Sequence, residues 1–212
     1  MWLVVLALPA LVLAAMTLAA MTLAAMTPGK PKLSADEVVQ AHLKSIGSAE
    51  DLAKIHTCVW EGQVSTLIVN SGHPASTGIA KLFSEGRKYR ISLGFDFADY
   101  KGEHFLSDGN KAEFGFSRTS SVGRSAFGDF IARYDQILKD GLMGGTLSTA
   151  WALLDLPSRQ AKVDYDGMKK VDGKDLHVLA YHPKKGLGAD SRILLYFEPD
   201  TFRHVRSFTR FR

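Results

Sequence analysis

The feature that most constrains the fold is a series of nine short segments in which apolar and polar residues alternate. A period of two is typical of β-strands that bury one face. Asp108-Gly109 and Asp172-Gly173 predict tight hairpins, and so does the stretch 198–201. Strands joined in hairpin succession build one large antiparallel sheet, which must curl. The predicted strands are residues 57–69, 76–84, 87–95, 102–107, 111–117, 160–170, 175–182, 191–198 and 202–211.

Helices are predicted before the first strand and between the fifth and the sixth. A capping box of Ser34 and Glu37 precedes apolar residues at helical spacing and predicts a helix over residues 35–46. Apolar residues at i, i+3, i+4 and i+7 predict a helix over residues 125–139, followed by a shorter one over 146–154. The predicted class is α+β: a curved antiparallel sheet forms an unclosed β-barrel, or half-barrel, with an N-terminal helix and a helical lid.

The amino end differs from the rest of the chain. The first 27 residues carry no charged side chain, and they contain the pentapeptide Leu-Ala-Ala-Met-Thr three times. So long an apolar run predicts a cleaved signal peptide or, if it is retained, a membrane anchor. Residues 28–33 are then a linker, and residues 34–212 are a single domain large enough to bury a core. The expected location is the periplasm, with contact to the inner membrane through residues 1–27 if they are uncleaved.

Charge, cysteine and histidine usage exclude several classes of function. The net charge of +4 is too small to indicate nucleic-acid binding, although it suits weak attraction to anionic lipid headgroups. Cys58 is the only cysteine, so the chain has no internal disulfide, and its alternation with Trp60 predicts a buried, inert thiol. None of the seven histidines has a metal-ligand spacing. We therefore expect no metal and no cofactor.

Catalytic motifs are also missing from the sequence. It contains no Gly-x-Ser-x-Gly elbow and no phosphate-binding glycine loop. Asp96, Asp99 and Glu103 cluster after the third predicted strand, and paired carboxylates could perform acid–base chemistry. An acidic turn between strands explains them more simply. We expect no catalytic residues and no enzymatic activity.

The group of residues that says most about function is apolar. One face of the predicted sheet and the helices opposite it carry large apolar side chains, which form a core if the helices seal and a ligand cavity if they do not. Pattern alone favours the core, whereas Gly141, Gly144 and Gly145 would let a helical lid move. The candidate ligand-binding residues are Trp60, Tyr89, Ile91, Leu93, Phe114, Phe116, Phe127, Phe130, Ile131, Tyr134 and Trp151.

The order of elements and several local patterns resemble the lipoprotein-carrier superfamily, the LolA/LolB-like proteins that sort outer-membrane lipoproteins. The resemblance covers residues 34–212 and rests on the capped first helix, the strand starts at Val59-Trp60-Glu61-Gly62 and Gly86-Arg87-Lys88-Tyr89-Arg90, the mid-chain helices and the closing hairpin 195–202. It implies an unclosed barrel with a helical lid over a hydrophobic cavity for acyl chains, without catalytic residues or cofactor. It also implies an arginine that holds the lid closed, for which Arg87 and Arg90 are candidates.

Two hypotheses follow. The first is a monomeric, non-enzymatic periplasmic protein that binds or carries a lipid or the acyl chains of a lipoprotein. The second is an envelope interaction or stress-sensing module of the same fold with a sealed core, which binds a protein partner through its convex face or an edge strand. A hydrolase built on the three carboxylates has little support.

Overall fold

The computed structural model places most of the predicted domain and assigns Ser34–Arg212 to one compact unit. The predictions for residues 1–27 concern residues outside the described part. Among the described residues, no helix has the length and hydropathy needed to cross a bilayer. The structure describes residues 33–67, 75–97, 99–117, 119, 123–184 and 192–210.

In the part of the chain that the structure describes, two helices precede the sheets, and the first begins at the predicted cap. Helix α1 spans Ala35–Ile46, and its capping box is confirmed: the Ser34 hydroxyl accepts from the Glu37 N–H, and the Glu37 carboxylate accepts from the Ser34 N–H at 2.7 Å. Helix α2 spans Ala49–Lys54 and is capped by the Ser48 hydroxyl. Side-chain caps therefore fix where both helices start.

The first five strands form one antiparallel sheet, called sheet 1, in the order β1-β2-β3-β4-β5. Each strand pairs with its neighbour in sequence, as hairpin succession predicts. The strands are β1 Thr57–Thr66, β2 Ser76–Glu85, β3 Lys88–Phe95, β4 Glu103–Ser107 and β5 Ala112–Phe116.

The last four strands form a second antiparallel sheet, called sheet 2, in the order β6-β7-β8-β9. Within the described residues the strands thus divide into two sheets of five and four, rather than the single sheet of nine that hairpin succession predicts, because the helical insert interrupts the hairpins. The α+β class with curved, unclosed sheets is confirmed. The strands are β6 Lys162–Val171, β7 Lys174–His182, β8 Arg192–Phe197 and β9 His204–Arg210.

The insert between the sheets, residues 126–159, is called the lid segment, and it is less regular than predicted. The predicted helix 125–139 is broken into α3 (Ala126–Arg133) and α4 (Gln136–Lys139), because Tyr134 leaves the helical region at φ −117° and ψ 48°. A further short helix, α5 (Leu156–Arg159), ends the lid segment.

The predicted helix over residues 146–154 was wrong. Two 3₁₀ turns occupy this stretch, Gly145–Leu147 and Ala152–Leu154. Between them the Thr149 N–H donates to the Ser84 hydroxyl of β2 at 3.0 Å. Hydrogen bonds to sheet 1 thus replace those that a continuous helix would have made.

Candidate functional site

The strand register places all six predicted sheet residues on one face of sheet 1. Trp60 lies opposite Leu82, which lies opposite Ile91, and the row continues through Phe105 to Phe114. Residues directly opposite each other in antiparallel strands project to the same side of the sheet. The other members of the predicted set on this face, called the inner face, are Tyr89, Leu93 and Phe116.

The lid segment packs directly on the inner face. Ile131 and Leu138 are 2% and 0% exposed within a cluster that also contains Tyr89 and Phe105. Leu93, Phe114 and Phe130 pack against the same cluster. The Tyr89 hydroxyl donates to the Leu138 carbonyl at 2.8 Å, and burial raises its pKa well above the ordinary value. Most residues predicted to line a cavity therefore fill this face by contacting one another.

Three predicted residues lie at the margins of this cluster. The rings of Phe127 and Phe105 have centroids 5.7 Å apart, yet Phe127 is 47% exposed. Phe116 is likewise exposed at the end of β5. Tyr134 is half-buried and packs on Phe130 at 5.1 Å. These side chains leave part of the inner-face rim apolar and accessible.

Trp151 is fully buried in a different cluster, between α1 and sheet 2. Its indole N–H donates to His42 Nε2 at 3.0 Å. Since an indole can only donate, His42 Nε2 accepts, and His42 Nδ1 carries the proton that it donates to the Phe202 carbonyl at 2.9 Å. Burial lowers the pKa of His42, and burial together with the nearby His42 lowers the pKa of His204 to about 4. Both imidazoles are therefore neutral, structural groups at neutral pH.

A cavity of about 820 Å³ lies between the first two helices, the start of β1 and the lid segment. We call it the side cavity. Ile55 and Leu147 are 52% and 48% exposed at this cavity, although both are large apolar residues. Its apolar lining consists of Ile46, Leu52, Ile55, Cys58, Leu147, Trp151 and Leu154. Of the predicted ligand-binding residues, only Trp151 belongs to it.

Cys58 lies in the wall of the side cavity, so the prediction of a buried thiol was wrong. The residue is half-buried, and its thiol donates to the Leu147 carbonyl at 3.3 Å. This contact joins β1 to the lid segment. The charged or polar groups around the cavity come from His56, Glu85, Lys88, Thr146, Ser148 and Thr149. The apolar residues at positions 46, 52 and 55 were the sequence signal for this site, but their partners in the lid segment were not evident.

The arginine that contacts the lid segment most directly was not among the candidates. Arg159 is 5% exposed and donates to the Ala150 carbonyl at 2.9 Å and to the Lys139 carbonyl at 3.2 Å. Arg87 donates to the Gly109 carbonyl at 3.1 Å, and its charge acts on the buried Asp140 of the lid segment. Arg87 thus stays a candidate for holding the lid.

Arg90 is excluded from that role by its position. It alternates with Tyr89 and Ile91 and is exposed on the opposite side of sheet 1, called the outer face. Its guanidinium donates to the Ser92 hydroxyl at 3.0 Å. An arginine on the outer face is separated from the lid segment by the sheet.

Glu103 and Asp96, two of the carboxylates after β3, have different surroundings. Glu103 is 3% exposed, and it accepts from the Ser125 N–H at 2.6 Å, the Ser125 hydroxyl at 2.7 Å and the Tyr100 hydroxyl at 3.0 Å. It therefore anchors the start of α3. Asp96 is exposed and lies 3.6 Å from the Lys101 ammonium. Among the described residues, no group of histidine, cysteine and carboxylate side chains could hold a metal ion.

A second depression, of about 520 Å³, lies on the outer face of sheet 1. We call it the outer groove. Its apolar part includes Val59 and Phe83, which are 68% and 43% exposed, together with Leu106. Its charged residues are of both signs: Glu85, Asp108 and Glu113 against Lys88, Arg90 and Lys111. The outer groove is therefore apolar at its floor without a dominant charge.

No family model matches the chain, and no curated protein matches it. Among solved structures, it is similar to a DUF1329 family protein from Desulfovibrio piger, with a TM-score of 0.44 and 16% identity over 82% of this chain and 72% of that one. It is also similar to an outer membrane lipoprotein-sorting protein domain from Vibrio parahaemolyticus, with a TM-score of 0.33 and 10% identity over 82% of this chain and 73% of that one. Because both TM-scores are below 0.5, these similarities do not decide the function.

Proposed function

We propose that this protein is a non-enzymatic, periplasmic binding or carrier protein that holds an acyl chain, from a lipid or an acylated lipoprotein, in the side cavity. The observation that carries the proposal is the cavity itself, about 820 Å³ in volume, with the aliphatic side chains of Ile55 and Leu147 in its wall. Ligand pockets typically enclose about 300–1,000 Å³ and are mostly apolar with few polar groups.

The exposure of Ile55 and Leu147 supports an apolar ligand. Two large aliphatic side chains from separate elements, both about half exposed, project at the same cavity. Grouped apolar exposure of this kind is typical of binding sites rather than of an inert surface. Each methylene buried from water contributes about 0.8 kcal/mol, so eight buried methylenes would supply about 6 kcal/mol.

The hydrogen bonding of the polar groups supports a non-enzymatic role. Both ring nitrogens of His42 are bonded within the core. The Glu103 carboxylate is occupied by Tyr100 and Ser125. Groups already engaged in this way hold the fold in place and are poorly placed for proton transfer to a substrate.

Binding of palmitate would test the proposal. We expect native mass spectrometry to show a complex of the purified protein with palmitate, and differential scanning fluorimetry to show a rise in Tm. Leu147→Trp, which places a larger side chain in the cavity wall, should weaken binding at least tenfold. Val205→Trp changes a residue of similar exposure on β9 and should bind as the wild type does. No complex and no change in Tm would refute the proposal.

A second candidate function is an envelope interaction module, favoured by the filled inner face and the exposed Val59 and Phe83 of the outer groove. A photo-crosslinking residue at position 59 should then capture one protein partner in intact cells. The same residue at position 168, which is exposed on β6, is the control. Equal labelling at the two positions would argue against a partner at the outer groove.

A further inference from the structure

Three of the four edge strands carry features that discourage pairing with another strand. In the described part of the chain, β1 and β5 lie at the edges of sheet 1, and β6 and β9 lie at the edges of sheet 2. Proteins protect such edges with short strands, bulges and charged residues. Strand β5 has five residues. Irregular register interrupts the pairing of β6 and of β9 with their neighbours, and lysines or arginines project from both.

Strand β1 has none of these protections. It is 10 residues long and pairs with β2 without interruption, and within the described residues no strand pairs with its other side. Its one charged side chain, Glu61, already contacts the Lys81 ammonium at 2.7 Å. Val59 and Trp60 project to opposite faces and are 68% and 38% exposed. A long, regular and nearly uncharged edge strand is suited to receive another strand.

A second copy of β1 has the composition that this edge requires, and symmetry limits how the two copies can pair. A two-fold axis perpendicular to the sheet makes the strands antiparallel and keeps both inner faces on the same side. Facing residues must project to the same side, so the axis passes through a residue position rather than between two. An axis at Glu61 pairs residues 57–65 of the copies, an axis at Gly62 pairs residues 58–66, and every other axis pairs fewer.

Charge decides between these two registers. An axis at Glu61 would place two carboxylates directly opposite each other, which destabilises strand pairing. An axis at Gly62 instead places Glu61 opposite Gln63 of the second copy, whose amide can donate a hydrogen bond to the carboxylate. On the inner face it places Trp60 opposite Val64, and pairs of aromatic and β-branched residues stabilise antiparallel strands. The register centred on Gly62 is therefore self-complementary.

We propose that two copies of this protein associate through β1, antiparallel and in the register centred on Gly62. The two five-stranded sheets then join into one continuous sheet with both inner faces on the same side. The proposal does not depend on an acyl ligand. It replaces the monomer that was expected from the sequence.

Sedimentation velocity of the purified protein at concentrations up to about 200 µM measures the association. We expect a dimer that forms as the concentration rises. Gln63→Glu places a carboxylate opposite Glu61 twice in the dimer and should weaken association about tenfold, whereas Gln63→Lys places an ammonium there and should strengthen it. Gln40→Glu and Gln40→Lys make the same changes at an exposed glutamine of α1 and should associate as the wild type does.

Cysteine crosslinking measures the register independently. Glu61→Cys and Gln63→Cys, each combined with Cys58→Ser, place thiols that face each other between the two variants only when the axis lies at Gly62. We expect oxidation to crosslink the mixture of the two variants far more than either variant alone.

Several results would overturn the proposal. One is a wild type that stays monomeric up to about 200 µM. Others are equal effects of Gln63→Glu and Gln63→Lys, or efficient crosslinking of Glu61→Cys alone, which would place the axis at Glu61. If the photo-crosslinking residue at position 59 captures only a different protein, the second copy is excluded as the partner of β1.

Discussion

Acid should destabilise this fold through the aromatic cluster around His204, and the variant His204→Phe should remove much of that sensitivity. The imidazole of His204 lies 5.0 Å from the Trp151 ring and 5.6 Å from the Phe197 ring, between centroids. Burial, and after it the neighbouring His42, hold its pKa at about 4, against an ordinary value of 6.5. Unfolding returns the imidazole to water and to its ordinary pKa.

The size of the effect follows from this difference. Above pH 6.5 the ring is neutral in both states, so the full stability is present. Between pH 6.5 and 4 the unfolded chain binds a proton that the folded protein does not, so the free energy of unfolding falls as the pH falls. The difference between 6.5 and about 4 corresponds to about 3.4 kcal/mol, at 1.36 kcal/mol per pKa unit. About 2.5 kcal/mol of this should be lost by pH 4.5.

Urea unfolding followed by tryptophan fluorescence at pH 7.5 and pH 4.5 measures the effect. Phenylalanine keeps a ring against Trp151 but cannot take up a proton, so His204→Phe should lose about 2.5 kcal/mol less than the wild type between the two pH values. His56→Phe, the same change at an exposed histidine, controls for the substitution itself. Equal losses in the wild type and in His204→Phe would refute the reasoning.

Three further predictions concern the lid segment, and urea unfolding at pH 7.5 checks each. Arg159→Met should lower the free energy of unfolding by about 2–4 kcal/mol, because the carbonyls of Ala150 and Lys139 lose their hydrogen-bond donor. A decrease below about 0.5 kcal/mol would contradict this. Gly141→Ala should lower the free energy of unfolding by more than about 2 kcal/mol. The backbone at Gly141 has φ +73°, and a Cβ there would lie 1.7 Å from the Ala150 carbonyl oxygen. A variant as stable as the wild type would rule out this backbone geometry. Leu138→Ala should lower the free energy of unfolding by about 3–5 kcal/mol, because Leu138 is fully buried. Leu147→Ala should lower it by less than half as much, because Leu147 is 48% exposed. Similar decreases in the two variants would contradict the assignment of Leu138 to the core.

Local features of the fold could be predicted from the sequence because neighbours along the chain determine them. The cap at Ser34 bonds to a residue three positions away, and the face of β3 that carries Tyr89 and Ile91 follows from alternation alone. Hairpin turns then bring neighbouring strands into register. The sheet face, the first helix and most strand ends were therefore predictable within a few residues.

Features set by distant contacts could not be predicted in this way. The helix expected over residues 146–154 is replaced by turns because Thr149 bonds to Ser84, 65 residues earlier. Glu103, taken for part of an acidic turn, anchors Ser125 at the start of the lid segment. The side cavity likewise combines residues near Leu52 with residues near Leu147, which share no local pattern.

The proposed acyl ligand would gain more in the side cavity than on the packed inner face, although apolar side chains contribute to both. A chain that enters the side cavity displaces no protein contact, so nearly all of its apolar burial is available for binding. A chain under the lid segment would have to separate Ile131 and Leu138 from the sheet and break the hydrogen bonds of Tyr89 and Arg159, which are worth about 2–4 kcal/mol together. Burying a 16-carbon chain releases about 12 kcal/mol. That release is the same at both places, whereas only the lid segment has hydrogen bonds to break, so the acyl ligand that we propose would bind in the side cavity rather than under the lid segment.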